Sequence, residues 1–326
     1  MKSNSKSVNL NKNLFKHFAS KWLKEITSEI KSSSLVKYTN VVELYLLPRF
    51  GRTRINQIDR SRVNDFSQSL LANGGMKKQG LMPATVNSVL TVLKRILDYA
   101  SQETGCPTIN FRKLRVGVKK PAIAVLTRSE QKKLWRYLRA HLSPCNLGIL
   151  LCLTYGLRIG EICALRWGDI QLNEGVLSVN RALGRHQTFA KNGTKTKLVV
   201  TSLKSAYSER SIPLAPCDFE LLERQRLQDN IYILTGCSDK LMEPRTLRNH
   251  FKKTLRACNI RAINFHALRH SFATRWIELG YDVKTLSEIL GHSSVNVTLN
   301  YYVHPSIESK RQSISNFSRN VFLTSN

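Results

Sequence analysis

The chain has 326 residues, with 51 lysines and arginines against 22 aspartates and glutamates, a formal net charge of +29 and a pI near 10.2. That length allows two cores of ordinary size, so two domains are expected, and a positive excess spread along the chain points to a polyanionic partner, above all nucleic acid. Seven cysteines with no Cys-x-x-Cys pair speak against a disulfide framework or a zinc knuckle, and the apolar run Leu147–Leu153 is far short of the ~20 residues of a membrane span. A soluble, cytoplasmic, nucleoid-associated protein with reduced thiols is expected.

Residues 1–12 read as a disordered basic lead. From Leu14, the positions Phe15, Phe18, Trp22, Ile26 and Ile30 recur at helical spacing. Leu35, Tyr38, Val42 and Tyr45 repeat the pattern as far as Pro48, which is expected to end it. Asp59 opens a helix carrying Val63, Phe66 and Leu70, closed by Asn73-Gly74-Gly75. Pro83 starts a further helix that carries Val86, Val89, Leu90, Leu93 and Leu97 to Gly105. Residues 13–105 therefore form a small all-helical domain with basic outer faces. Residues 106–123, with Pro107, Gly117, Pro121 and five Lys or Arg, read as a basic linker that either follows a phosphate backbone or is simply solvated.

Thr127-Arg128-Ser129-Glu130 has the form of a capping box ahead of a helix bearing Leu134, Trp135 and Leu138. A buried helix over 147–155 ends at Gly156, and Arg158 sits at a tight corner before Glu161. Segments 176–183, 197–203 and 210–214 favour strands and one small antiparallel sheet. Helices are expected over 217–229, 244–258, 267–279, 282–290 and 294–303. The domain 124–305 is thus mainly α with a small sheet, and 306–326 is an amphipathic tail in which Ile307, Ile314 and Val321 recur with Phe317 and Phe322 on the same side.

Residues 266–304 hold His266, Arg269, His270, His292, Tyr301, Tyr302 and His304. An arginine fork neutralises a phosphodiester bidentately, a histidine hydrogen-bonds it or moves its protons, and a tyrosine hydroxyl can attack it. Cutting and rejoining a strand without losing bond energy requires a covalent intermediate, which a tyrosine provides, with arginines stabilising the charge that gathers on the non-bridging oxygens. Arg158 and Arg269 are the two candidate clamps, the alternatives being a corner arginine paired with Glu161 and a DNA-backbone contact. His266 and His270 have the spacing of a zinc helix, but Ala267 stands where that motif needs its glutamate. His270 reads as structural.

In order, Thr154-Tyr155-Gly156-Leu157-Arg158-Ile159-Gly160-Glu161, Lys204-x3-Ser208-x-Arg210-x-Ile212-Pro213-Leu214, His266-x-x-Arg269-His270, Leu290-Gly291-His292 and Tyr302-Val303-His304 resemble the tyrosine recombinase (phage integrase) family. The resemblance implies a helical core-site-binding domain and a catalytic domain forming a C-shaped clamp on duplex DNA. It implies Arg158, Lys204, His266, Arg269, His292 and a nucleophilic tyrosine as the catalytic set, with Glu161 in support and no metal or nucleotide cofactor. Proton handling at the tyrosine falls to His266, a hydrogen bond to a non-bridging oxygen to His292, and protonation of the leaving 5′ oxygen to Lys204, with Lys195 and Lys197 as competitors. Tyr302 fits the Tyr-x-His form, and Tyr301 remains the alternative nucleophile. The implied reaction is strand exchange through 3′-phosphotyrosine links and a Holliday junction, by a homotetramer on specific recombination sites. Its tail docks in trans, and accessory directionality or bending proteins take part. A non-catalytic DNA-binding regulator and a type IB topoisomerase-like enzyme are the alternatives.

Overall fold

The computed structural model describes residues 13–30, 32–75, 78–118, 123–187, 196–203, 208–302, 307–319 and 322. The basic lead, Lys195, Lys204, His304 and Val321 lie outside them, as does the Tyr301 side chain. The chain divides into two compact units, one ending its main span at Pro121 and the other beginning at Ala122.

In the first unit, α1 (Phe15–Glu25), α2 (Ser32–Val41), α4 (Arg60–Asn73) and α5 (Pro83–Thr104) enclose a core that includes Phe15, Trp22, Leu46, Phe50, Phe66 and Leu93. Phe50 contacts Phe15 and Phe66 at ring-centroid distances of 5.9 and 5.0 Å, and each such buried ring contributes about 1.5–3 kcal/mol relative to leaving it in water. Pro48 does not end its helix as the sequence suggests. A π-helical turn, Val42–Leu46, precedes it, the Leu47 N–H reaches back to the Val42 carbonyl, and α3 (Leu47–Phe50) follows. The wider turn accommodates the proline, so the chain bends without stopping. Asp59 caps α4 through the Arg62 N–H at 2.8 Å. Within the stretch read as a linker, Phe111 and Leu114 are buried in this core, and Asn87 on α5 exchanges two hydrogen bonds with the Val116 backbone, at 2.8 and 2.9 Å.

In the second unit the Thr127–Glu130 capping box starts α6 (Arg128–Ala140), and Ser143 caps α7 (Pro144–Tyr155). Helix α7 is apolar around its circumference because it runs through the centre of the core, with Ile149, Leu150, Leu151, Cys152 and Leu153 all buried. The corner helix α8 is Ile159–Ile162. The strands form two sheets where one was expected. Strand β2 (Val176–Val179) lies between β1 (Ile170–Gln171) and β5 (Arg210–Pro213), antiparallel to both, while β3 (Arg181–Gln187) pairs with β4 (Thr196–Ser202). The break falls at Asn180, whose carbonyl accepts the Leu203 N–H at 3.0 Å in place of a ladder bond.

The remaining helices are α9 (Pro216–Gln225), α10 (Pro244–Ala257), α11 (Ala267–Glu278), α12 (Val283–Leu290), α13 (Val295–Tyr302) and α14 (Ile307–Ser318). Helix α9 stops before 229 because Arg226 turns to extended backbone and its guanidinium is drawn to the Ile170 carbonyl and Asp229. Among the described residues no helix is long and apolar enough to cross a membrane.

Candidate active site

Two helix ends, far apart in sequence, build the site. Helix α7 stops at Gly156 with φ +67°, and a Cβ there would stand 2.8 Å from both Leu290 and Phe272, so this position needs glycine for conformation and for space. Helix α12 stops at Gly291 with φ 62°, and the His292 N–H closes the turn onto the Ser287 carbonyl at 3.1 Å. Carbonyls at helix C-terminal ends carry partial negative charge and lack intrahelical partners, so they receive guanidinium groups well. Arg269 donates to the Gly156 carbonyl at 2.9 Å and to the Leu290 carbonyl at 2.6 Å, and Arg158 donates to the Gly291 carbonyl at 3.0 Å.

Arg269 is only 2 % exposed. Burial and then Arg158 lower its pKa to about 9, which leaves it cationic at neutral pH. Glu161, 1 % exposed, is the counter-charge of the cluster. It accepts from the Arg158 side chain at 2.7 Å, from the Arg158 backbone N–H at 2.8 Å and from both terminal nitrogens of Arg210 at 3.1 and 2.8 Å. Burial pushes its carboxyl up, but Arg210 and Arg158 outweigh this and hold it down at about 2. The pairing weighed from sequence therefore exists, yet Arg158 also reaches Gly291.

Arg210 stands in the Ser-x-Arg-x-Ile-Pro stretch without having been counted as a site residue. The available signal was its phase on β5: it shares a face with Ile212, which is buried, so this arginine points inward. Its Nε donates to the Ile289 carbonyl at 2.5 Å.

His266 stands just before α11, without a side-chain cap bond, and its imidazole is lowered by burial, then by Arg269 and Arg158. His292 hydrogen-bonds the fully buried Thr298 hydroxyl through Nδ1 at 2.8 Å; burial and the nearby arginines hold it down at about 4. His270, read as structural from sequence, lies with Nδ1 2.5 Å from the Tyr302 hydroxyl, and burial, His266 and Arg269 bring it down to about 4. Three arginines and three histidines, from the starts of α8 and α11, β5, α11 and the α12–α13 turn, thus form one cluster, and Tyr302 at the end of α13 joins it through His270. Lys197 is exposed on β4. Among the described residues no group of three His, Cys, Asp or Glu converges as a metal-binding set.

Fixed guanidinium groups beside neutral imidazoles and a phenol are equipped to bind a phosphodiester and stabilise the added charge of its transition state. Two cavities of about 650 and 710 Å³ lie in this unit, one against Trp135, Phe272 and Leu279, the other against Arg210, Ile212 and Trp276. Neither is lined by Arg158, Arg269, His266, His292 or Tyr302. Arg158, by contrast, is 36 % exposed, a geometry open to an extended substrate.

Known proteins resemble this chain in sequence and in fold. A sequence model of an integrase N-terminal SAM-like domain matches residues 14–71. A protein named tyrosine recombinase XerC-like from Caldanaerobacter subterraneus subsp. tengcongensis is 27 % identical over 309 residues, covering 87 % of this chain and 77 % of that one. The fold matches the Tn1549 transposon integrase solved with circular intermediate DNA, with a TM-score of 0.73 at 20 % identity over 93 % of this chain and 99 % of that one. It also matches a lambda integrase tetramer bound to a Holliday junction, with a TM-score of 0.65 at 17 % identity over 90 % and 82 %. With the model of the phage integrase family matching residues 124–308, which hold every side chain of the cluster, the chain belongs to that family, the tyrosine recombinases.

Proposed function

We propose that this chain is a site-specific DNA recombinase that cuts and rejoins strands through a 3′-phosphotyrosine intermediate. The observation that carries the reading is the pair Arg158 and Arg269, each fixed by backbone carbonyls, together with Tyr302, which hydrogen-bonds His270, the residue next to Arg269. Arg158 and Arg269 hold the non-bridging oxygens, and His292, oriented by Thr298, adds a hydrogen bond. Tyr302 attacks phosphorus and the 5′ oxygen leaves with a proton from Lys204, so the bond energy stays in the protein–DNA link. Glu161 and Arg210 hold Arg158 in place, and His266 belongs to the proton-handling side of the cluster.

The first unit, which matches the SAM-like model, binds the core site. The assembly is a tetramer on paired sites, a reading supported by the fold shared with the lambda integrase solved as a tetramer bound to a Holliday junction. Ile314, Phe317 and Phe322 are 67, 58 and 71 % exposed, an apolar face suited to docking on a neighbouring protomer. A chain truncated after His304 is expected to cleave single sites and fail to form synaptic complexes. The protein works in the nucleoid, with accessory proteins setting direction.

The test is incubation with nicked suicide duplexes carrying sequences that flank the chain's own gene, in EDTA, with Tyr302→Phe and Tyr301→Phe in parallel. A covalent band lost only in Tyr302→Phe is expected. Loss only in Tyr301→Phe keeps the function and moves the nucleophile; tight binding without any band favours a non-catalytic DNA-binding role.

A further inference from the structure

We propose that His270 is a catalytic residue of strand cleavage, the group that takes the phenolic proton from Tyr302 as its oxygen attacks phosphorus. This rests on the recombinase reading above and goes beyond it, because the family resemblance gives proton handling at the tyrosine to His266.

The geometry is direct. Nδ1 of His270 lies 2.5 Å from the Tyr302 hydroxyl, at the short end of the hydrogen-bond range. The ring centroids are 5.6 Å apart with planes tilted by 53°, so the rings meet through this edge contact and not by stacking. His270 also follows Arg269 directly on α11, and Arg269 is tied to both the Gly156 and Leu290 carbonyls, so the imidazole is carried on a segment fixed at the cluster. His266 lies against the His270 ring, with centroids 4.6 Å apart at 85°, and restricts its rotation.

The protons balance. With hydrogen on Nε2, Nδ1 has a free lone pair and the Tyr302 hydroxyl donates to it. As the Tyr302 oxygen–phosphorus bond forms and the bond from phosphorus to the 5′ oxygen breaks, the phenolic proton passes to Nδ1. The leaving 5′ oxygen takes a different proton, from Lys204 in the reading above. On rejoining, the 5′ hydroxyl attacks, the phosphotyrosine bond breaks, and His270 returns its proton to the phenol.

Among the described residues, the charged and titratable groups around His270 are His266 at the start of its helix, Arg269 on that helix and Tyr302 on α13. Burial and these two neighbours on α11 keep the imidazole neutral, hence an acceptor, before DNA arrives. A phosphodiester entering the arginine cluster brings the negative charge that stabilises the imidazolium formed in the step.

The experiment measures the rate of covalent adduct formation by the full chain on the nicked suicide duplexes, for wild type, His270→Asn and His266→Asn across pH, with duplex affinity and melting temperature alongside. Asparagine puts an oxygen where Nδ1 was, so it keeps the hydrogen bond from Tyr302 but cannot take the proton. His270→Asn is expected to bind duplex as wild type does, to form adduct ~10²–10³-fold more slowly, and to lose the histidine limb of the pH–rate profile. A rate within about three-fold of wild type, or an unchanged pH profile, overturns the inference while leaving the recombinase reading intact. Should His270→Asn melt early, His270→Ala with added imidazole decides: restored adduct supports the inference, and its absence overturns it. A wild-type chain that never forms adduct removes the recombinase reading and this inference together.

Discussion

Arg210 and Glu161 form an ion pair from which water is almost wholly excluded, their side chains being 6 and 1 % exposed. A buried pair of this kind adds little against an apolar substitute, but loss of one partner strands the other charge. Glu161→Gln is therefore expected to cost about 3 kcal/mol in urea unfolding and to slow cleavage by releasing Arg158. A double variant, Glu161→Leu with Arg210→Met, should recover most of the stability and none of the cleavage. Recovery of both would show that the pair has no part in placing Arg158.

The carboxyl of Glu161 is held down at about 2 from an ordinary 4.5, so its contribution is complete above 4.5 and fades as pH falls toward about 2. The histidines act earlier. His270 and His292 are held near 4 from an ordinary 6.5, so between these values the unfolded chain binds more protons and stability falls as pH falls. Melting temperatures should drop between pH 6.5 and 4, and substituting both histidines with asparagine should flatten that slope. Duplex DNA is expected to reverse the effect, because a phosphate in the cluster favours the imidazolium. Calorimetric titration with duplex at pH near 5, in buffers of different ionisation enthalpy, should report net proton uptake.

Arg269 separates charge from geometry. Arg269→Lys keeps a cation but cannot bridge the Gly156 and Leu290 carbonyls while facing a phosphate, because an ammonium lacks the planar fork. Adduct formation should fall ~10²–10³-fold, with duplex binding weakened far less. Cleavage near the wild-type rate would mean that the bridge to the two carbonyls does not matter.

Away from the site, Asn87→Ala should cost the first unit about 1–3 kcal/mol by leaving the Val116 N–H and carbonyl without their partners, read as a lower thermal midpoint with cleavage at saturating duplex unchanged.

The sequence carried the local grammar of the chain: the capping box at Thr127, the cap at Asp59, the left-handed stops at Gly105, Gly156 and Gly291, and the all-round apolar character of α7 are set by nearest neighbours. Where it failed, a more distant partner decided. Pro48 is a helix breaker by its own chemistry, and only the π turn before it lets the helix pass. The split of the sheet at Asn180 depends on Leu203, and the end of α9 on Ile170, neither visible in a local window. At the site, residue types offered Arg158 and Arg269 as clamps, and the family resemblance implied the roles of His266 and His292. The strand phase of Arg210 hinted at its inward course, but its partner Glu161, like the contact of His270 with Tyr302, came only from packing, of β5 against Glu161 and of α13 against α11.

Gly156 and Gly291 have a consequence for safety. The carbonyls that orient Arg269 and Arg158 come from turns 113 and 133 residues away along the chain, so the cationic centre exists only after both ends of the catalytic unit have met. A chain still emerging from the ribosome, or one that has opened locally, holds the same arginines, histidines and tyrosine without their alignment. On the reading proposed above, such a chain is expected to hold DNA by its charge without breaking it, which would confine the hazard of strand cutting to the finished form.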